Sequence, residues 1–80
     1  MTPEEVKTLI EAGMPDSTVT VTGDGSKFEA IVVSADFAGK TMVQEQKMVY
    51  ATVNQEITSG ALHALTIKAF TPEEWQQQNA

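Results

Sequence analysis

The residues able to do chemistry are few. His63 is the only histidine, cysteine is absent, and the five basic residues are all lysines. Imidazole is the one side chain here that can exchange a proton near neutral pH or bind a transition metal as a neutral ligand. A lone histidine without a second metal-helix histidine and without thiolates cannot close a zinc site. Ser26, Ser34 and Asp36 fall at turn and cap positions with no base beside them, so no activated nucleophile can be assembled. Gly23-Asp24-Gly25-Ser26 has the glycines of a phosphate cradle but lacks the wider glycine pattern and a helix directly after it. A tight hairpin turn explains it better, since Asp-Gly supplies positive φ. These residues point away from catalysis. The ordinary reading of His63 is a partly buried strand histidine in phase with Leu65 and Ile67, satisfied by the backbone.

The stretch that must position His63 runs from Gly60 to Trp75. From Leu62 to Phe70 the residues alternate, with His63, Leu65, Ile67 and Ala69 on one face and Leu62, Ala64, Thr66, Lys68 and Phe70 on the other. Thr71-Pro72-Glu73-Glu74 then closes this strand and opens a helix. Thr71 suits the N-cap, Pro72 the first helical position and Glu74 the reciprocal place in a capping box.

Thr2-Pro3-Glu4-Glu5 repeats that pattern and starts an N-terminal helix, with Val6, Leu9, Ile10 and Met14 as its apolar stripe and Gly13 and Pro15 as its stop. Thr18 to Thr22 alternates strictly with β-branched residues and reads as a half-buried strand. Lys27 to Ser34 returns as a second strand with two apolar faces, Phe28, Ala30 and Val32 against Ile31 and Val33, which predicts a more covered, central position. Phe37-Ala38-Gly39-Lys40-Thr41 is a turn. The following helix, or pair of helices, carries Val43, Gln46, Val49, Tyr50, Val53 and Ile57 along one face as far as Ser59-Gly60, with Met42 and Met48 filling gaps. Tyr50 is read as a core ring with its hydroxyl at the rim, and Phe37, Val49, Leu65 and Ile67 as core beside it. Residues 76–80 are polar and read as a frayed tail.

Helix, strand, strand, helix or helix pair, strand, helix is an α+β order, with helices packed on one face of a three-stranded mixed sheet. The helical crossover permits a parallel second pair and predicts right-handedness. Residues 1–80 form one domain, close to the size at which a single core suffices. No apolar run reaches the roughly 20 residues of a membrane span. The acidic N-terminus lacks the features of a signal peptide, so a cytoplasmic location is expected. The formal net charge of −6 and the lack of arginine oppose nucleic-acid binding, which normally rests on a basic surface.

Three stretches resemble a known family. "LHALTIKAFTPEEW" is similar to the C-terminal signature of BolA-like proteins, "GDGSKFEAIVVSADFAG" to their hairpin and following turn, and "MVYATV" to their helix motif. The resemblance spans nearly the whole chain and is closest to the short bacterial YrbA-like branch. It implies a fold like a type II KH domain and a non-enzymatic role. It also implies that His63 is a ligand to a [2Fe–2S] cluster shared with a monothiol glutaredoxin and glutathione, and that Lys27, His63, Thr71 and Pro72 belong to the partner surface. By itself the chain is expected to be a monomer or weak homodimer.

Two departures from the family pattern bear on these expectations. Many relatives carry a second His or Cys ligand where this chain has Lys27, and an ammonium is no ligand at neutral pH. Asp24 and Glu29 offer only harder oxygens. Many relatives also carry Arg-His-Arg where this chain has Glu45-Gln46-Lys47. A transcriptional, DNA-binding role therefore stands as the alternative. It would rest on Lys40 and Lys47, without a two-glycine clamping loop, and DNA binding is expected to be weak or absent.

Overall fold

Helix α1, Pro3–Gly13, starts where the capping box closes: Thr2 Oγ1 accepts from the Glu5 amide at 3.2 Å, and Glu5 Oε1 accepts from the Thr2 amide at 2.9 Å. The computed structural model describes residues 1–23 and 27–78. Within them follow β1 (Thr18–Gly23), β2 (Lys27–Val33), a 3₁₀ turn (Ala35–Phe37), α2 (Met42–Thr52), α3 (Asn54–Ser59), β3 (Ala64–Phe70) and α4 (Pro72–Gln78). The Asp24-Gly25-Ser26 turn lies outside the described residues. At Gly23 a β-carbon would fall against the Lys27 carbonyl oxygen and 2.7 Å from the Phe28 ring, so glycine is required by close backbone approach.

The sheet order is β1-β2-β3, antiparallel then parallel. Register sets Val19, Val32 and Ala69 in one row and Val21, Ala30 and Ile67 in the next, with Phe28 beside Leu65. These rows face the core, where Val6, Ile10 and Met14 of α1 and Val49 and Val53 of the crossover are buried with Phe37 and Leu62. The expected two-faced β2 is the central strand. Its second face, Glu29, Ile31 and Val33, is half-buried. On that face Glu29 and Lys68 form an exposed ion pair at 3.4 Å, worth about 0–1 kcal/mol. Phe70 alternates onto the same side, and Trp75 of α4 packs against it with ring centroids 5.3 Å apart and planes tilted by 51°.

Helices α1 and α2 approach closely at Gly13, where an added β-carbon would lie 2.5 Å from Thr52 Cγ2. Glycine 13 thus makes room for a neighbour as well as ending α1. The crossover is two helices, and Thr52 explains the joint. Its hydroxyl donates to the Val49 carbonyl at 2.6 Å, the acceptor that the Val53 amide would use in a continuous α-helix. The Val53 amide turns instead to the Tyr50 carbonyl at 3.1 Å, tightening the turn and redirecting the chain.

Burial along the two helices corrects the apolar stripe read from the sequence. Val49 and Val53 are buried, but Val43 and Ile57 are exposed and Met42 is 75% exposed. Tyr50, expected in the core, is 38% exposed. It and Gln46 reach instead over the outer edge of β3. Gln46 Nε2 donates to the Ile67 carbonyl and the Tyr50 hydroxyl to the Leu65 carbonyl, both at 2.9 Å. The match is geometric, because four helical residues advance about 6 Å and two strand residues about 6.6 Å. Residues 76–78, read as part of a frayed tail, continue α4; residues 79 and 80 lie outside the described residues.

Candidate functional site at the start of the parallel pair

Strands β2 and β3 begin side by side, with Lys27 and Ala64 as Cα partners. His63 immediately precedes Ala64, so the two residues singled out at this end come together at one rim of the sheet. Both are exposed. The strand begins two residues later than the alternation predicted. His63 therefore escapes the phase that would have buried it with Leu65 and Ile67.

Leu62 holds His63 in place. Helix α3 ends at Gly60, whose φ of 84° is the left-handed conformation that glycine adopts without strain. The Gly60 amide donates to the Ile57 carbonyl at 3.2 Å and the Leu62 amide to the Glu56 carbonyl at 3.1 Å. Leu62 is 1% exposed and enters the core from a position that strand alternation had set on the opposite face to Leu65. The His63 side chain thus stands in solvent one residue after a buried anchor. The detectable signal was an apolar residue two positions past a helix-ending glycine.

Thr71 and Pro72 lie elsewhere. They follow the far end of β3, about 20 Å of strand from His63, so the four residues grouped as a partner surface fall into two separate pairs. Thr71 is occupied in capping α4: its amide donates to Glu74 Oε1 at 2.8 Å and its hydroxyl accepts from the Glu74 amide at 3.2 Å. Lys40 precedes the capping box formed by Thr41 and Gln44, and Lys47 lies on α2; both are exposed. Between them in sequence stands Glu45, whose carboxyl is held above its usual range by partial burial and then by the Glu74 carboxylate. The two lysines thus flank negative charge.

Among the described residues no three His, Cys, Asp or Glu side chains converge as a metal site. This end of the sheet offers one imidazole ligand, and Lys27 beside it cannot add a second. The residues present fit a shared group to which this chain contributes a single nitrogen, and do not fit a cluster held by this chain alone. A cavity of about 540 Å³ lies between α1 and α3, lined by Met1, Glu4, Glu5, Thr8, Leu9, Glu56 and Ala61. Its glutamates give it the wrong sign for phosphate. No described helix is long and apolar enough to cross a membrane.

The family model described as BolA-like protein matches residues 2–74. The chain is 36% identical over 75 residues to the acid stress protein IbaG of Escherichia coli, covering 94% of this chain and 89% of that protein. It is 42% identical over 57 residues to the DNA-binding transcriptional regulator BolA of Haemophilus influenzae, covering 71% of this chain and 54% of that protein. A BolA homologue from Coxiella burnetii superposes with a TM-score of 0.86 at 35% identity, over 95% of this chain and 97% of that one. With its mixed sheet, helical crossover and strand-leading histidine, this chain belongs to the BolA-like family.

Proposed function

We propose that this protein is a non-enzymatic adaptor that docks on a monothiol glutaredoxin in the cytoplasm and takes part in iron–sulfur handling or iron and redox signalling. The observation that carries this reading is His63, the sole imidazole, exposed at the rim of the sheet one residue after the buried Leu62. In the complex His63 would supply one nitrogen to a [2Fe–2S] cluster, with the glutaredoxin cysteine and glutathione supplying thiolates. A neutral imidazole in place of a thiolate raises a cluster's potential. Lys27 would sit against the partner without ligating, which leaves the shared cluster labile.

The test is visible absorption and circular dichroism of the complex reconstituted with glutaredoxin and glutathione, beside calorimetric binding of the metal-free proteins. His63→Ala should abolish the mixed-ligand spectrum while preserving the fold. Lys27→His should lengthen the cluster's lifetime, because imidazole suits iron and ammonium does not. An unchanged spectrum in His63→Ala sinks the ligand assignment, and absence of metal-free docking sinks the partner. A second reading, a stress-linked transcriptional regulator, is favoured by the names of the Haemophilus influenzae and Escherichia coli relatives. It would use Lys40 and Lys47 on the α2 side, against the chain's own charge.

A further inference from the structure

The two edges of the sheet are treated differently. Along β3 the carbonyls of Leu65 and Ile67 are taken by Tyr50 and Gln46 of α2. Along β1, among the described residues, no hydrogen bond outside the sheet involves Thr18–Gly23. Nor does β1 carry the usual deterrents to edge pairing, which are charge, proline or a bulge. It is an unbroken β-branched strand in regular register with β2. Helix α1 does not seal it, for a cleft of about 230 Å³ stays open between Pro3, Glu4 and Lys7 of the helix and Val19, Thr20 and Val21 of the strand.

The order of residues along this edge says what fits it. Thr18-Val19-Thr20-Val21-Thr22 reads the same in both directions about Thr20. An antiparallel partner of identical sequence, centred on Thr20, would set Thr18 against Thr22 and Thr20 against its own copy on the exposed face. Val19 would meet Val21 on the core side. Thr–Thr and β-branched cross-strand pairs favour such a ladder, whereas like charges directly opposite would oppose it. β1 itself contains no charge, so its paired residues meet without like charges directly opposite; the nearest charges are Glu4 and Lys7 across the cleft and Asp16 before the strand.

The geometry points to β1 as a self-association edge whose occupant is a second copy of this chain, joined about a twofold axis at Thr20 into a continuous six-stranded sheet. This interface is independent of His63, which stands at the rim of the β2–β3 pair. The paired stretch is short and bounded by Asp16, so the dimer is of the small, transient kind. Net charge of one sign on both copies makes added salt strengthen it.

Sedimentation velocity over a concentration series reads the association, at low and high salt. Wild type should dimerise at submillimolar concentration, more tightly with salt. Thr20 is exposed, so Thr20→Lys and Thr20→Glu should keep the monomer's circular dichroism and melting. Each should weaken self-association by about tenfold or more, since the substituted charge faces its own copy. Mixing the two variants should restore a dimer. An isotope-mixed wild-type sample supplies a reading that needs no variant: intermolecular contacts between Val19 and Val21 are expected. A wild type monomeric at every concentration, a dimer indifferent to Thr20→Lys, or intermolecular contacts confined to other elements would overturn the assignment.

Discussion

Leu62 and His63 show how one side chain's burial decides its neighbour's availability. Leu62→Ala would remove a buried side chain and leave a cavity, a loss of about 2–5 kcal/mol, and would release the segment that holds the imidazole. Denaturation and the backbone amide signals of residues 60–64 should therefore report together, stability falling as that segment loses protection. A surface position would lose less than about 0.5 kcal/mol, and such a result would place Leu62 outside the core. Glu45 makes the opposite kind of contribution. Its folded pKa is raised, by burial first and by Glu74 second, so the native state holds its proton more tightly than the unfolded chain. The favourable linkage is complete below the unfolded value and is lost as pH rises through the folded one. Glu45→Gln should accordingly be more stable than wild type at neutral pH, with the advantage shrinking in acid below the ordinary glutamate range. Paired denaturant titrations at the two pH values decide it.

At the scale of elements, α2 matters less as core filler than as a cover for β3. Tyr50→Phe deletes the hydroxyl that serves the Leu65 carbonyl while keeping the ring, and Gln46→Leu does the same for the Ile67 carbonyl. Each should lose about 0.5–1.5 kcal/mol. The two act on adjacent positions of one ladder, so a double-mutant cycle should show coupling. Faster hydrogen exchange along β3, with β1 unchanged, is the companion signature. The sequence disclosed the strands, both Thr-Pro-Glu-Glu caps and the central place of β2, because alternation and capping are local properties. It hid the role of Tyr50, since helical spacing puts that residue beside the core stripe and only the lateral offset of α2 carries it past the sheet edge. It hid the anchor Leu62 because the strand starts only at Ala64, so Leu62, in the connection after Gly60, does not follow the alternation that holds along β3. Thr71 and Pro72 entered the expected partner surface through the family resemblance, and the length of β3 separates them from His63, since a straight strand carries its ends apart.

For the whole molecule, charge is the governing property. With a net charge of −6 and no arginine, any contact with duplex DNA must come from a few lysines set among carboxylates. Affinity at physiological salt should be no better than the non-specific range of roughly 10⁻⁴–10⁻⁶ M, and should fall with a shallow salt slope because few phosphates are neutralised. Titration with mixed-sequence duplex checks this. Submicromolar, sequence-selective binding would establish the regulator reading instead.

The parallel register also has a temporal consequence. Lys27 pairs with Ala64 and Val33 with Phe70, a constant separation of 64 − 27 = 37 residues along the pair. The β1–β2 hairpin can close quickly from local contacts, but β3 finds its place only after a long excursion through both crossover helices. Contacts so distant in sequence form late and slow folding. The rim that displays His63 is therefore among the last features to exist on the way in. A nascent or partly unfolded chain has no assembled rim to present, and the exposed imidazole takes up its place beside Lys27 only in molecules that have finished folding.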